Sequence, residues 1–154
     1  MDTFIQKINQ IGIVTDDLKA MVQRYEEVYG IHGWTVIDGK AGFDPEAKAK
    51  NLCTRGVPGD FEISLAKAMV GEIEIELIQP LDNKSDYAEF LRKNGCGVHH
   101  ISIDTDAGRF RQLMIQRNVP ELLRGTIPGA ETFLYYETGP EIGMTVEIHD
   151  FENK

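Results

Sequence analysis

Two stretches of this chain echo one another without a gap. Ile8-Asn9-Gln10-Ile11-Gly12-Ile13-Val14-Thr15-Asp16 aligns with Val98-His99-His100-Ile101-Ser102-Ile103-Asp104-Thr105-Asp106. An internal repeat constrains a fold more tightly than any isolated motif, because each copy must build the same unit and bury its apolar face against a neighbour. Both copies are short runs rich in branched apolar residues, which predicts strands, and Gly95 and Gly97 allow an abrupt turn into the second. Each then runs into helical spacing. Leu18, Met21, Val22, Tyr25 and Val28 follow Asp16 and stop at Gly30, whereas Phe110, Leu113, Met114 and Arg117 follow Asp106.

The echo extends to the end of each half. Glu72-Ile73-Glu74-Ile75-Glu76-Leu77-Ile78 and Met144-Thr145-Val146-Glu147-Ile148-His149 are alternating strands with acids on the polar face. Between them the first half reads as strand 5–14, helix, strand 34–37 and a hairpin of 61–68 with 72–78. Residues 83–94 form a connector helix with Ser85 near its start and Gly95 stopping it. The second half reads as strand 97–104, helix 106–117, and strands at 122–124, 131–137 and 144–149. The predicted architecture is α+β: a βαβββ module over 1–81, a connector over 82–95, and a second βαβββ module over 96–154, all in one structural domain. Duplicated halves bring equivalent positions together near a pseudo-twofold axis. The pairs Gln10 with His100 and Glu76 with Glu147 are therefore candidates for one site.

Strand alternation places His99 and His100 on opposite faces, so one imidazole alone is expected to reach that site. From Lys40 to Gly59 the chain changes character, with Gly42, Pro45, Gly56, Pro58 and Gly59 in close succession. Asp44-Pro45-Glu46 predicts a short capped helix there, and the rest reads as a long loop of the kind that serves as a lid. The net charge of −9 argues against nucleic acid, whose phosphates require a basic face. No stretch reaches membrane-spanning length and the N-terminus lacks a signal-peptide layout, so a cytoplasmic protein with no membrane partner is expected. Cys53 and Cys96 are too few for a disulfide framework or a thiolate metal site.

The layout and the runs Ile75-Glu76-Leu77-Ile78-Gln79-Pro80-Leu81, Asn94-Gly95-Cys96-Gly97-Val98-His99-His100-Ile101 and Gly143-Met144-Thr145-Val146-Glu147-Ile148 resemble the vicinal oxygen chelate superfamily. That group includes lactoylglutathione lyases, methylmalonyl-CoA epimerases, extradiol dioxygenases and antibiotic-binding resistance proteins. The chain is most similar to epimerase-like members. The resemblance implies a curved mixed sheet forming a cup around one divalent metal, with ligands at Gln10, Glu76, His100 and Glu147. Epimerases usually carry histidine where Gln10 stands, and the Gln-Glu-His-Glu set is similar to that of eukaryotic lactoylglutathione lyases.

One imidazole with amide and carboxylate oxygens suits Zn, Co, Ni, Mn or Mg. A metal with an open position polarises a carbonyl so that the proton alpha to it becomes removable, and a carboxylate serves as base. Glu147 is the first candidate base, by its family counterpart, and Glu62 the second. The expected activity is a metal-dependent epimerase or isomerase/lyase acting on an acyl-CoA or a glutathione/keto adduct, in a homodimer. The rivals are a non-catalytic binding protein of the same fold and an extradiol-type dioxygenase, the latter disfavoured by Gln10. Glu72, Glu74, His32 and His149 read as solvated surface. Trp34, Tyr135 and Tyr136 read first as core, and Arg55 and Lys67 as charge balance or contacts to an anionic ligand.

Overall fold

The computed structural model describes residues 3–39 and 49–151. The helix expected at Asp44-Pro45-Glu46 lies outside them. Among the described residues ten strands form one mixed sheet, in the order β2-β5-β6-β1-β7-β10-β9-β8-β3-β4. The first half contributes β1 (Lys7–Val14), β2 (Thr35–Ile37), β5 (Ile63–Val70) and β6 (Ile73–Pro80), with α1 (Leu18–Glu27) between β1 and β2. The second contributes β7 (Gly97–Asp104), α3 (Ala107–Gln116), β8 (Glu121–Ile127), β9 (Glu131–Tyr136), the short α4 (Gly139–Ile142) and β10 (Thr145–Phe151). Helix α2 (Asp86–Asn94) runs between them. This is the α+β curved sheet of a glyoxalase-like fold.

Caps explain where the helices begin. Asp17, Ser85 and Asp106 each accept a backbone N–H from the first turn, at Ala20, Ala88 and Arg109 respectively. The apolar stripes then pack inward: Leu18 on Ala66 and Leu77 with Met21, Val22 and Tyr25 beside it, and Phe110 and Met114 on Leu134, Val146 and Ile148. A third cluster holds Val14, Phe61, Ile78, Tyr87, Leu122 and Tyr135.

The repeat is visible in the register. In the antiparallel β1–β7 pair Gln10 lies opposite Ser102 and Gly12 opposite His100, an exchange of equivalent positions. Gly12 also pairs with Glu76 in the parallel β1–β6 ladder, as its counterpart Ser102 pairs with Glu147 in the parallel β7–β10 ladder. The two halves thus meet along β1 and β7, and all four candidate residues fall in neighbouring strands.

Two expectations need correction. Residues 50–58 are not loop: β3 (Lys50–Thr54) and β4 (Val57–Pro58) form a hairpin that pairs with β8 and extends the edge of the second half. Positive φ at Arg55 (48°) and Gly56 (78°) makes the tight turn that the Gly and Pro density concealed. Strict alternation also fails in β7. The register shifts between Gly12 and Ile13, leaving His99 as an extra residue, and a matching shift leaves Asn9 extra in β1. These are β-bulges, which rotate the side chains around them. His99 and His100 therefore do not face opposite ways; their Nδ1 atoms lie 3.0 Å apart.

Candidate metal and acid–base site

His100 sits at the floor of a cup, fully buried. Its Nε2 is 3.4 Å from Gln10 Oε1, 3.6 Å from Glu76 Oε2, 3.4 Å from Glu147 Oε2 and 3.4 Å from the Tyr135 hydroxyl. Gln10, Glu76 and Glu147 are themselves buried. The structure thus brings together the four residues singled out in the sequence.

Each is held from behind. The Gln10 amide Nε2 donates to Glu74 Oε1 at 2.7 Å, which turns its carbonyl oxygen toward His100. Lys67 Nζ lies 3.5 Å from Glu76 Oε1 and 3.6 Å from Glu74 Oε1. Glu147 Oε2 is 3.5 Å from His149 Nε2, and His149 bonds Ser102 Oγ at 2.8 Å and Glu131 Oε2 at 2.9 Å. Glu74 and His149, expected as solvated surface, are instead direct neighbours of the site. Lys67 is held by acids of the cup, and Arg55 is held by Asp86 at 2.6 Å and Glu89 at 3.2 Å.

The electrostatics follow from this crowding. Burial opposes charge on His100, but the Glu147 and Glu76 carboxylates outweigh it and raise its pKa to about 9. Burial likewise opposes charge on His149, and Glu131 and Glu147 raise it to about 10. Burial would lift Glu147, yet the two imidazoles hold it well below the usual carboxylate range. Its Oε2 stands at ion-pair distance from both rings without meeting hydrogen-bond geometry, so a buried anionic oxygen has no hydrogen bond. Such an orphan is costly unless something else is to be bound there.

A divalent cation suits that oxygen and its neighbours in chemistry. The donors are one imidazole nitrogen, an amide oxygen and two carboxylates, a sulfur-free set. Donors sharing one ion at Zn-type bond lengths stand roughly 3–3.5 Å apart, close to the separations around His100 Nε2. Among the described residues no three His, Cys, Asp or Glu side chains form a ready metal cage.

Above the cup opens a cavity of about 540 Å³. Leu52, Phe61, Leu65, Ile78, Ile127 and Phe133 line it, together with the carboxylates of Glu62, Glu76, Glu131 and Glu147. Tyr135 also lines it, its hydroxyl accepting from Tyr87 at 2.9 Å, whereas Trp34 and Tyr136 do not. Glu62 stands exposed just before β5, its backbone N–H held by Asp82 at 2.9 Å. His32 is exposed, as expected.

Residues 9–136 match the family model described as the Glyoxalase/Bleomycin resistance protein/Dioxygenase superfamily. The chain belongs to that superfamily. No curated protein matches it in sequence. Among solved structures, this superfamily member is similar to the methylmalonyl-CoA epimerase of Mycobacterium tuberculosis, at 16% identity and a TM-score of 0.63 over 97% of this chain and 90% of that one. A methylmalonyl-CoA epimerase in complex with methylmalonyl-CoA and NH4+ matches at 22% identity and a TM-score of 0.63, over 96% and 94% of the two chains. A variant of the Streptomyces coelicolor epimerase in complex with 2-nitronate-propionyl-CoA matches at 21% identity and 0.64, over 94% and 96%. At these identities the likeness establishes the fold alone. Among the described residues no helix is long and apolar enough to cross a membrane.

Proposed function

We propose that this chain is a metal-dependent enzyme that abstracts a proton alpha to a carbonyl or thioester, as an epimerase or a glyoxalase-type isomerase or lyase. The observation that carries the reading is the convergence of Gln10, Glu76 and Glu147 on His100 Nε2, with a buried Glu147 oxygen lacking any hydrogen bond. Gln10, Glu76, His100 and Glu147 would hold the ion, which supplies a Lewis acid for the substrate oxygen.

The chain's own groups do the rest. Glu147, at the inner end of the cavity, and Glu62, at its rim, are the two candidate bases for the alpha proton. Leu52, Phe61 and Phe133 exclude water from the reacting carbon. Lys67 and His149 offset two of the four cavity carboxylates, and a bound divalent ion would offset the other two, so an anion developing on substrate would not face net negative charge. A cavity of about 540 Å³ suits the acyl end of an acyl-CoA or a glutathione/keto adduct. Epimerases of this fold that are seen with methylmalonyl-CoA and 2-nitronate-propionyl-CoA support the acyl thioester class. The proposal includes a cytoplasmic homodimer.

The test joins metal analysis of dialysed protein with alpha-proton exchange in deuterated water, followed by NMR over acyl-CoAs and keto compounds. Stoichiometric divalent metal and metal-dependent exchange are expected. A second reading, a binding protein without chemistry, is favoured by Lys67, whose ammonium already neutralises Glu76 at 3.5 Å. Tight metal-independent binding of a ligand that shows no exchange would establish it.

A further inference from the structure

Behind the cup a chain of polar groups runs from the exposed Arg55 to the buried Asp86, His99 and His100. Arg55 Nη1 donates to Asp86 Oδ1 at 2.6 Å, Asp86 Oδ2 lies 2.6 Å from His99 Nε2, and His99 Nδ1 lies 3.0 Å from His100 Nδ1. The bulge at His99 makes the last contact geometrically available, since regular alternation would separate the two rings. The hydrogens can be placed by counting donors. Ionised Asp86 only accepts, so His99 Nε2 carries a hydrogen. The Asp86 charge is already matched by Arg55, and the His99 ring is packed against Tyr87 and Phe90, with centroids 4.9 and 5.3 Å away. An imidazole whose hydrogen is turned to Asp86 through Nε2 presents a bare Nδ1, the atom that stands 3.0 Å from His100 Nδ1.

We propose that His99 is a positioning residue for His100: its Nδ1 accepts the Nδ1–H of His100, so that Nε2, whose hydrogen a bound cation would displace, is the nitrogen turned into the cup. The inference rests on the reading of His100 as a metal ligand. Ligand histidines generally donate their other N–H to a carboxylate, carbonyl or water, which fixes tautomer and ring orientation. Here a second imidazole takes that place and hands the interaction on to a carboxylate anchored at the turn of the β3–β4 hairpin. The counterpart in the first half plays no such part. Asn9 Nδ2 donates to exposed Asp104 at 2.6 Å, and Gln10 is steered by Glu74 instead.

The opposite arrangement is a His99 imidazolium donating to His100 Nδ1. It would leave the His100 lone pair on Nδ1 and put the ring's one hydrogen on Nε2, the wrong tautomer for a ligand. Long-range proton–nitrogen NMR of metal-free, imidazole-labelled protein separates the two. The expected result is a proton on His99 Nε2 and none on His99 Nδ1; a proton on His99 Nδ1 overturns the proposal. Zn2+ affinity, read by competition with a chromophoric chelator, supplies the second arm. His99→Phe keeps an aromatic ring and removes the acceptor, and should weaken Zn2+ binding by ~10–100-fold. His99→Asn, whose Oδ1 offers an acceptor near the lost Nδ1, should recover most of it. Parent-like affinity in folded His99→Phe overturns the proposal, as does equal weakening in both variants. If the parent itself binds no Zn2+, the metal reading falls, and the NMR result alone decides the tautomer. Should His99→Phe not fold, His99→Asn against the parent, with the NMR result, remains decisive.

Discussion

The His100 imidazole lies so close to Gly12 that a methyl group on Gly12 would overlap its Cε1, Nδ1 and Nε2 atoms. The obstacle is the ring of a fully buried residue, wedged between Tyr135, His99 and the carboxylates of the cup, so it cannot swing aside freely. Gly12→Ala should therefore displace the imidazole, destabilise the fold by ~1–3 kcal/mol and sharply reduce metal content. Urea unfolding and metal analysis of the dialysed variant check this, and unchanged values in both would show that the ring has room to move.

His100→Ala strips the one nitrogen donor from the proposed ligand set. Metal retained after dialysis should drop well below that of the parent. Equal stoichiometry in the two proteins would exclude His100 as a ligand.

Glu62→Gln keeps size and polarity but loses the basic oxygen, at an exposed position that touches no proposed ligand. If Glu62 is the base, metal and ligand binding should persist while turnover falls ~100-fold or more. Exchange that survives in this variant assigns the base role to Glu147. Glu147→Gln should lose turnover together with metal.

Lys67 is a fixed cation against Glu76 and Glu74. Replacing it by methionine removes the repulsion that an incoming divalent ion meets. Metal affinity in Lys67→Met should rise by about tenfold, consistent with charges a few ångströms apart at partly exposed sites. A fall in affinity, measured by chelator competition, would show that Lys67 instead organises the acids for the ion.

For the metal-free protein the sign of the pH dependence follows from the two imidazoles. His100 rises from 6.5 to about 9 and His149 from 6.5 to about 10 on folding. A group whose pKa rises on folding stabilises fully below its unfolded value, so stability should be complete below pH 6.5 and decline as pH climbs through 9 and 10. The His100 shift alone corresponds to ~3 kcal/mol at 1.36 kcal/mol per pH unit, and its attraction to Glu147 is counted once. The depressed pKa of Glu147 acts at the other end: its share is present above 4.5 and is lost on acidification. Urea unfolding of chelator-treated protein between pH 6 and 10.5 reads the alkaline limb, and a flat profile there would falsify the charged cluster.

Much of this was legible in the residues, because the gap-free repeat carries register as well as element order. Once Gln10 and His100 are equivalent and β1 lies beside β7, Glu76 and Glu147 follow at equivalent places in the flanking ladders. What was not legible depends on pairing. A bulge belongs to two strands at once, so the side of β7 that His99 takes cannot be read from β7 alone. His149 looked like a surface residue because its partners, Glu131 and Ser102, are 18 and 47 residues away in the chain. Glu74 hid within an alternating run of acids, where contacts with the Gln10 amide and the Lys67 ammonium distinguish it from a solvated neighbour. The β3–β4 hairpin escaped because its partner strand, β8, belongs to the other half.

The reciprocal pairing of Gln10 with Ser102 and of Gly12 with His100 has a consequence for how such a site can change. Each half supplies the large side chain for one position and the small residue that faces its counterpart in the other half. A bulkier group at residue 10 must be accommodated opposite Ser102, whose hydroxyl is itself engaged by His149. Divergence of the ligand set is therefore expected as compensated pairs of exchanges across the β1–β7 seam, with a swap at residue 10 tolerated best when residue 102 shrinks with it.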